Sequence, residues 1–283
     1  MGISNRSMLV NVSISIWTGR KLDKQVSAEV DVAKATKTRA GNYHKNLFAG
    51  VDELAAVGRV GGKIRNWLHV ETMPWSDGGD RLLPMENFKD FKAELKVHDI
   101  EFDDTVKIFC DKYPTLISAQ AFTMGALFDR SEYPDADDIA SKFELRYTFS
   151  PLPEVGDWRI DAGTEDKKEL EQQYEKAYND RLSSATKDLW SRLHGVLTHM
   201  AERLADTPEG ERKIFRNSLL DAPAKLCELL TRLNITNDSK LEAARKSLES
   251  SIANISIEDL RDSDGARKEV KTQVEEILKR FDF

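Results

Sequence analysis

The sequence predicts an α+β fold that is predominantly helical, with long amphipathic helices, a small antiparallel sheet of about three strands and a C-terminal helical bundle. Three observations predict it. Apolar residues recur every three or four positions for about forty residues from 165 to 206. Two short stretches, at 8–16 and 143–149, alternate in period two. Charged residues make up 32% of the 283-residue chain beside 40% hydrophobic ones, the balance of long helices with solvated faces around a real core.

In chain order, Val10, Val12, Ile14 and Ile16 alternate with polar residues and predict a half-buried strand that Trp17 to Arg20 closes. The same alternation argues against a signal peptide at the N-terminus. From 24 to 70 the pattern reads as helix, with Leu47, Val51, Leu54, Val57, Ile64 and Leu68 on one side and with bends, or a break near Gly50, expected from its glycines. A turn-rich stretch, MPWSDGGDRLLP, runs from Met73 to Pro84. A helix follows over 86–112, with Phe88, Phe91, Leu95, Phe102, Val106 and Phe109 as its stripe, and Pro114 is expected to end it. A separate apolar helix is expected over 116–128, and a brief acidic one after Tyr133. Phe143, Leu145, Tyr147 and Phe149 share one face of a second strand, with a returning strand at 158–161. The helix over 165–206 carries Leu170, Tyr174, Tyr178, Leu182, Leu189, Leu193, Met200 and Leu204, and would be about 60 Å long, suited to a spine or a coiled coil. Helices over 213–233, 238–252 and 266–281 complete the chain. Two domains are expected, an α+β domain at 1–164 and a helical one at 165–283.

Net charge is −7, yet residues 1–70 hold eleven Lys and Arg against five acids. A basic region beside an acidic remainder suits an acidic partner, whether nucleic acid or another copy of the chain. Arg20, Lys21, Lys34, Lys37, Arg39 and Lys45, near Trp17 and Tyr43, are the candidate nucleic-acid-binding residues, since single-strand binders pair cations with aromatic platforms. No apolar run approaches the ~20 residues of a membrane span. Cys110 and Cys227 read as free thiols in a reducing compartment.

No catalytic constellation is legible. The five histidines form no HExxH pair, the glycines near Lys63 lack phosphate-loop spacing, and neither cysteine has an acid–base frame. No cofactor and no metal are expected. The 73–84 stretch is the best candidate for chemistry. Asp77 and Asp80 can hold a cation, but Pro74 and the two glycines also build a turn. Between those readings stands a partner-binding loop made of Trp75, Asp77, Asp80 and Arg81.

The run Trp17-Thr18-Gly19-Arg20-Lys21-Leu22-Asp23, the run from Ala40 to Leu47, the stretch from Thr72 to Pro84, and Leu127-Phe128-Asp129-Arg130-Ser131-Glu132-Tyr133-Pro134 together resemble a family of uncharacterised tailed-phage and prophage proteins. Its members are usually encoded near a MoxR-type AAA+ ATPase and a von Willebrand A-like protein. The resemblance covers residues 8–162. It implies a phage protein of the host bacterial cytoplasm that works as adaptor or substrate of an ATPase-driven machine, and it transfers no functional residue. The sequence thus predicts a non-enzymatic, self-associating scaffold or adaptor that binds other proteins. The alternatives are a single-stranded DNA-binding accessory of replication or recombination, and a virion structural component.

Overall fold

The computed structural model describes residues 3–153, 164–205 and 215–281. In chain order the elements are β1 (Ser7–Ser15), β2 (Arg20–Asp23), α1 (Lys24–Ala33), β3 (Tyr43–Asn46), α2 (Asp52–Glu71), β4 (Met73–Pro74), β5 (Arg81–Pro84), α3 (Phe88–Thr123), α4 (Ala136–Ile139), β6 (Glu144–Pro151), α5 (Thr164–Leu204), α6 (Ser218–Leu233), α7 (Ser239–Ile252), α8 (Ile257–Asp262) and α9 (Asp264–Arg280). The fold is α+β and predominantly helical. One sheet runs in the order β4-β5-β1-β6 and a separate ribbon pairs β2 with β3. The chain forms two compact units, one of residues 1–11, 69–91 and 148–283, the other of 12–68 and 92–147.

The first unit is built on α5. Its inward face, Ala185, Leu189, Leu193, Leu197, Met200 and Leu204, is buried in one core with α6, α7, α8 and α9, and Leu9, Met73, Trp75 and Leu82 complete that core. The stripe is therefore consumed within the unit from Ala185 onward, while Leu170 nearer the start of α5 is exposed. Of the helices that follow, α7, α8 and α9 start on a side-chain cap, while Asn217 makes no such bond at the start of α6. Asp238 accepts from Lys240 and Leu241 N–H at the start of α7, and Ser256 and Asp259 form a reciprocal capping box for α8.

The second unit centres on Phe48. Its ring meets Trp17, Phe109 and Tyr133 edge to face at centroid distances of 5.8, 5.6 and 5.4 Å. The buried phenol of Tyr133 donates to the Leu47 carbonyl at 2.8 Å, and that of Tyr113 donates to the Pro134 carbonyl at 2.9 Å. Gly61 lets α2 approach the end of β1 and the residue after it, because a Cβ there would run into Ile16 Cδ1 and lie 3.7 Å from Ile14 Cγ2.

Several expectations are corrected. The expected helix over 24–70 is two helices with a strand between them. Asp23 caps the first by accepting from Val26 N–H, Ala35 ends it in the left-handed conformation at φ 53°, and Gly50 at φ 76° precedes α2. Pro114 does not end a helix, and no separate helix starts at 116, because α3 continues to Thr123. Pro114 leaves the Cys110 carbonyl without its helical donor, a cost of about 3 kcal/mol. Burial of Tyr113 and Ile117 on either side offsets it. The sheet has four strands rather than about three, because the 73–84 stretch is itself a hairpin. The strand expected at 158–161 lies outside the described residues, as does the connection at 206–210.

Ala35 carries a testable strain. A non-glycine residue in the left-handed region costs about 1 kcal/mol. Ala35→Gly is expected to leave the fold unchanged and raise stability by up to ~1 kcal/mol, less the added freedom of the unfolded chain. A lower midpoint in urea denaturation would contradict this.

Candidate functional site

The described residues place most of the candidate cations on one excursion of the second unit. In the antiparallel ribbon Arg20 pairs with Asn46, Lys21 with Lys45, Leu22 with His44 and Asp23 with Tyr43. The chain leaves β2 into α1 and returns to β3 through an exposed arm at 34–42. Arg20, Lys21, Lys24, Lys34, Lys37 and Arg39 are all exposed, as are Tyr43 and His44. The two carboxylates of α1 are committed locally. Glu29 accepts from the Gln25 amide at 3.0 Å, and Asp31 accepts from Ala40 N–H at 3.2 Å, which folds the arm back on the helix end. Six cations thus project from a short, internally braced segment.

The sixth candidate cation is placed elsewhere. Lys45 is buried at 6% exposure, so its ammonium is not part of the exposed set. Its Nζ lies 2.7 Å from Glu132 Oε2 and 3.3 Å from Asp23 Oδ2, and it donates to the Leu127 carbonyl at 2.9 Å. Burial by itself would push the Lys45 pKa down, but Glu132 and Asp23 outweigh it and raise it above the usual value. Asp23 is held low chiefly by the Val26 N–H; burial opposes this, and Lys45 adds to the lowering. Lys45 is the latch that ties the ribbon to the 125–132 turn. Its role depends on partners far along the sequence, and a set of six similar cations offers no sign of it.

In the first unit, the 73–84 stretch closes as a hairpin. Met73 pairs with Leu82 and Pro74 with Arg81, Gly79 N–H donates to the Ser76 carbonyl, and Gly79 takes φ 91°. Asp80 serves the turn. One carboxylate oxygen accepts from Asn11 Nδ2 at 2.9 Å and the other from Ser76 Oγ at 3.1 Å. Trp75 is buried against Tyr178 at a centroid distance of 5.3 Å, Arg81 is buried, and Asp77 is exposed at the tip. The four loop candidates therefore do not share one surface.

Arg81 and a residue that sequence reasoning passed over, Arg192 on α5, converge on the C-terminal end of α2. Arg81 donates to Thr72 Oγ1 at 2.6 Å and to the Thr72 carbonyl at 3.2 Å. Arg192 donates to the carbonyls of His69, Val70 and Thr72 at 2.7–2.8 Å and pairs with Asp188 at 2.7 Å. Two guanidinium groups thus satisfy carbonyls that the helix end leaves free, where the dipole favours cations. Burial, and then Arg192, push the Arg81 pKa down to about 10, and it remains a cation at neutral pH. His69 is lowered for the same reasons, with burial first. Beside them opens a cleft of about 690 Å³, floored by Val196, Leu226 and Leu229 and rimmed by Arg192, Lys225 and Arg232. No spacing in the sequence signals that cleft, because its walls come from separate helices.

Burial raises both thiols, Cys227 to about 11, so each stays protonated at neutral pH. Among the described residues no three His, Cys, Asp or Glu are grouped to hold a metal ion, and no helix is long and apolar enough to cross a membrane. No family model, curated protein or solved structure matches the chain.

Proposed function

We propose that this protein is a non-enzymatic phage adaptor or scaffold of the host bacterial cytoplasm, which binds an acidic partner through its β2–α1–β3 excursion and works beside a MoxR-type AAA+ ATPase. One observation supports this reading above the others. Six exposed cations stand on a single braced segment whose own carboxylates are already bonded, while Lys45 anchors the ribbon beneath them. Cations at that density, in excess over Glu29 and Asp31 and held in place, favour association with an opposite charge. The association with the ATPase rests on the family resemblance alone.

A single-stranded nucleic acid is the second reading. The exposed Tyr43 and His44 beside these cations favour it, since a ring next to backbone-binding cations gives a base somewhere to stack.

Charge reversal tests both. The triple variant Lys34→Glu, Lys37→Glu, Arg39→Glu is expected to keep its fold, because all three side chains are exposed. If single-stranded DNA is the partner, oligonucleotide affinity should fall at least ~10-fold, and the slope of log affinity against log salt should flatten by about three. If the partner is a protein, oligonucleotide binding should be weak in both forms. Partner binding that ignores the triple reversal and salt alike would reject the excursion as the binding element.

A further inference from the structure

Two surfaces of the second unit lack cover from the described residues, and they are complementary. The first is the tip of the excursion. Val32, 81% exposed, sits at the end of α1, and Lys34, Lys37 and Arg39 follow directly. The second is the outward face of α3. Val97, Ile100 and Ile108 are each about half exposed, and the helical repeat places them on one side with Asp104 between them and Asp103 at its edge. The lysines nearest these acids are already taken, Lys96 by Asp99 and Lys107 by Asp111, so Asp103 and Asp104 stand outside every ion pair among the described residues. One surface offers an aliphatic side chain with exposed cations, the other aliphatic side chains with exposed carboxylates.

We propose that the arm of one copy docks on the outward face of α3 of a second copy. The inference rests on the excursion being the binding element and names its partner. Nucleic acid would neutralise Lys34, Lys37 and Arg39 but would leave Val32 in water, with nothing for Val97, Ile100 and Ile108 to meet. A second copy covers both aliphatic groups and pairs both sets of charges. Because the two surfaces differ, the contact is heterologous, and repetition closes a ring or extends a filament.

Light scattering on the intact protein, over a range of concentrations and at low and high salt, tests the inference. Mass above the monomer is expected at low salt and should fall at high salt. The arm variant Lys34→Glu, Lys37→Glu, Arg39→Glu and the helix variant Asp103→Lys, Asp104→Lys should each be monomeric. All five side chains are exposed, and far-UV circular dichroism verifies the fold of each variant. An equimolar mixture of the two variants should regain the higher mass, since the reversed arm of one then meets the reversed helix of the other. A wild-type protein that stays monomeric throughout, or variants that keep the wild-type mass, would overturn the inference. A single-stranded oligonucleotide titrated into wild-type and arm variant separates the two levels. Unchanged mass with oligonucleotide binding lost in the arm variant overturns only the second copy as partner. Mass and oligonucleotide binding both indifferent to the arm overturn the excursion as binding element as well.

Discussion

Leu193→Asp is expected to abolish the cooperative unfolding of the helical unit rather than to dissociate an oligomer. Leu193 is fully buried and Leu189 nearly so, in the core that α5 shares with α6, α7, α8 and α9. Truncating such a leucine costs about 3–5 kcal/mol. Placing an unpaired carboxylate there adds several more, comparable with the ~5–15 kcal/mol that holds a domain together. Leu193→Ala should therefore leave a weakened but cooperative transition, and Leu193→Asp none. Urea denaturation followed by circular dichroism distinguishes them. A folded aspartate variant with a sharp transition and a smaller mass would return α5 to the role of an intermolecular spine.

Lys45→Met is expected to have the next largest effect. Methionine nearly matches the stem of lysine but leaves Asp23 and Glu132 without their cation and the Leu127 carbonyl without its donor. Removing one partner of a buried ion pair costs about 3 kcal/mol. Hydrogen exchange should quicken at 20–24 and 125–132 before it quickens in the aromatic core. The pH dependence carries the same signature. The folded pKa of Lys45 is raised, so its contribution is complete below the unfolded lysine value and is lost as pH climbs through the folded one. The folded pKa of Asp23 is lowered, so its contribution is present above the unfolded carboxylate value and is lost as pH falls through the folded one. Wild type should therefore lose stability at strongly alkaline pH more steeply than Lys45→Met. Parallel curves, or equal stabilities at neutral pH, would show that the latch contributes nothing.

The elements legible in the sequence are those whose period matches a single buried face. The core stripe of α5 and the alternation in β1 and β6 are of this kind. β5 was illegible because all four of its residues are buried, so no alternation exists to read. The β2–β3 ribbon was hidden by the opposite circumstance, since it is polar on both faces and paired mainly through its backbone. Pro114 misled because local propensity was weighed without the tertiary burial of Tyr113 and Ile117. At the candidate site, composition located the basic segment but did not separate Lys45 from its exposed neighbours. That distinction depends on Glu132, which only the folded chain brings near.

The discontinuous make-up of the two units has a consequence for synthesis on the ribosome. Residues 12–147 hold everything the second unit needs, so it can form while the rest of the chain is still being translated. Leu9, Met73, Trp75 and Leu82 belong instead to a core whose other members arrive with α5 to α9. At ~5–20 residues per second these four side chains wait on the order of ten seconds for their partners. During that interval the nascent chain displays an apolar patch that invites a chaperone, and premature termination beyond 147 would leave the patch permanently open.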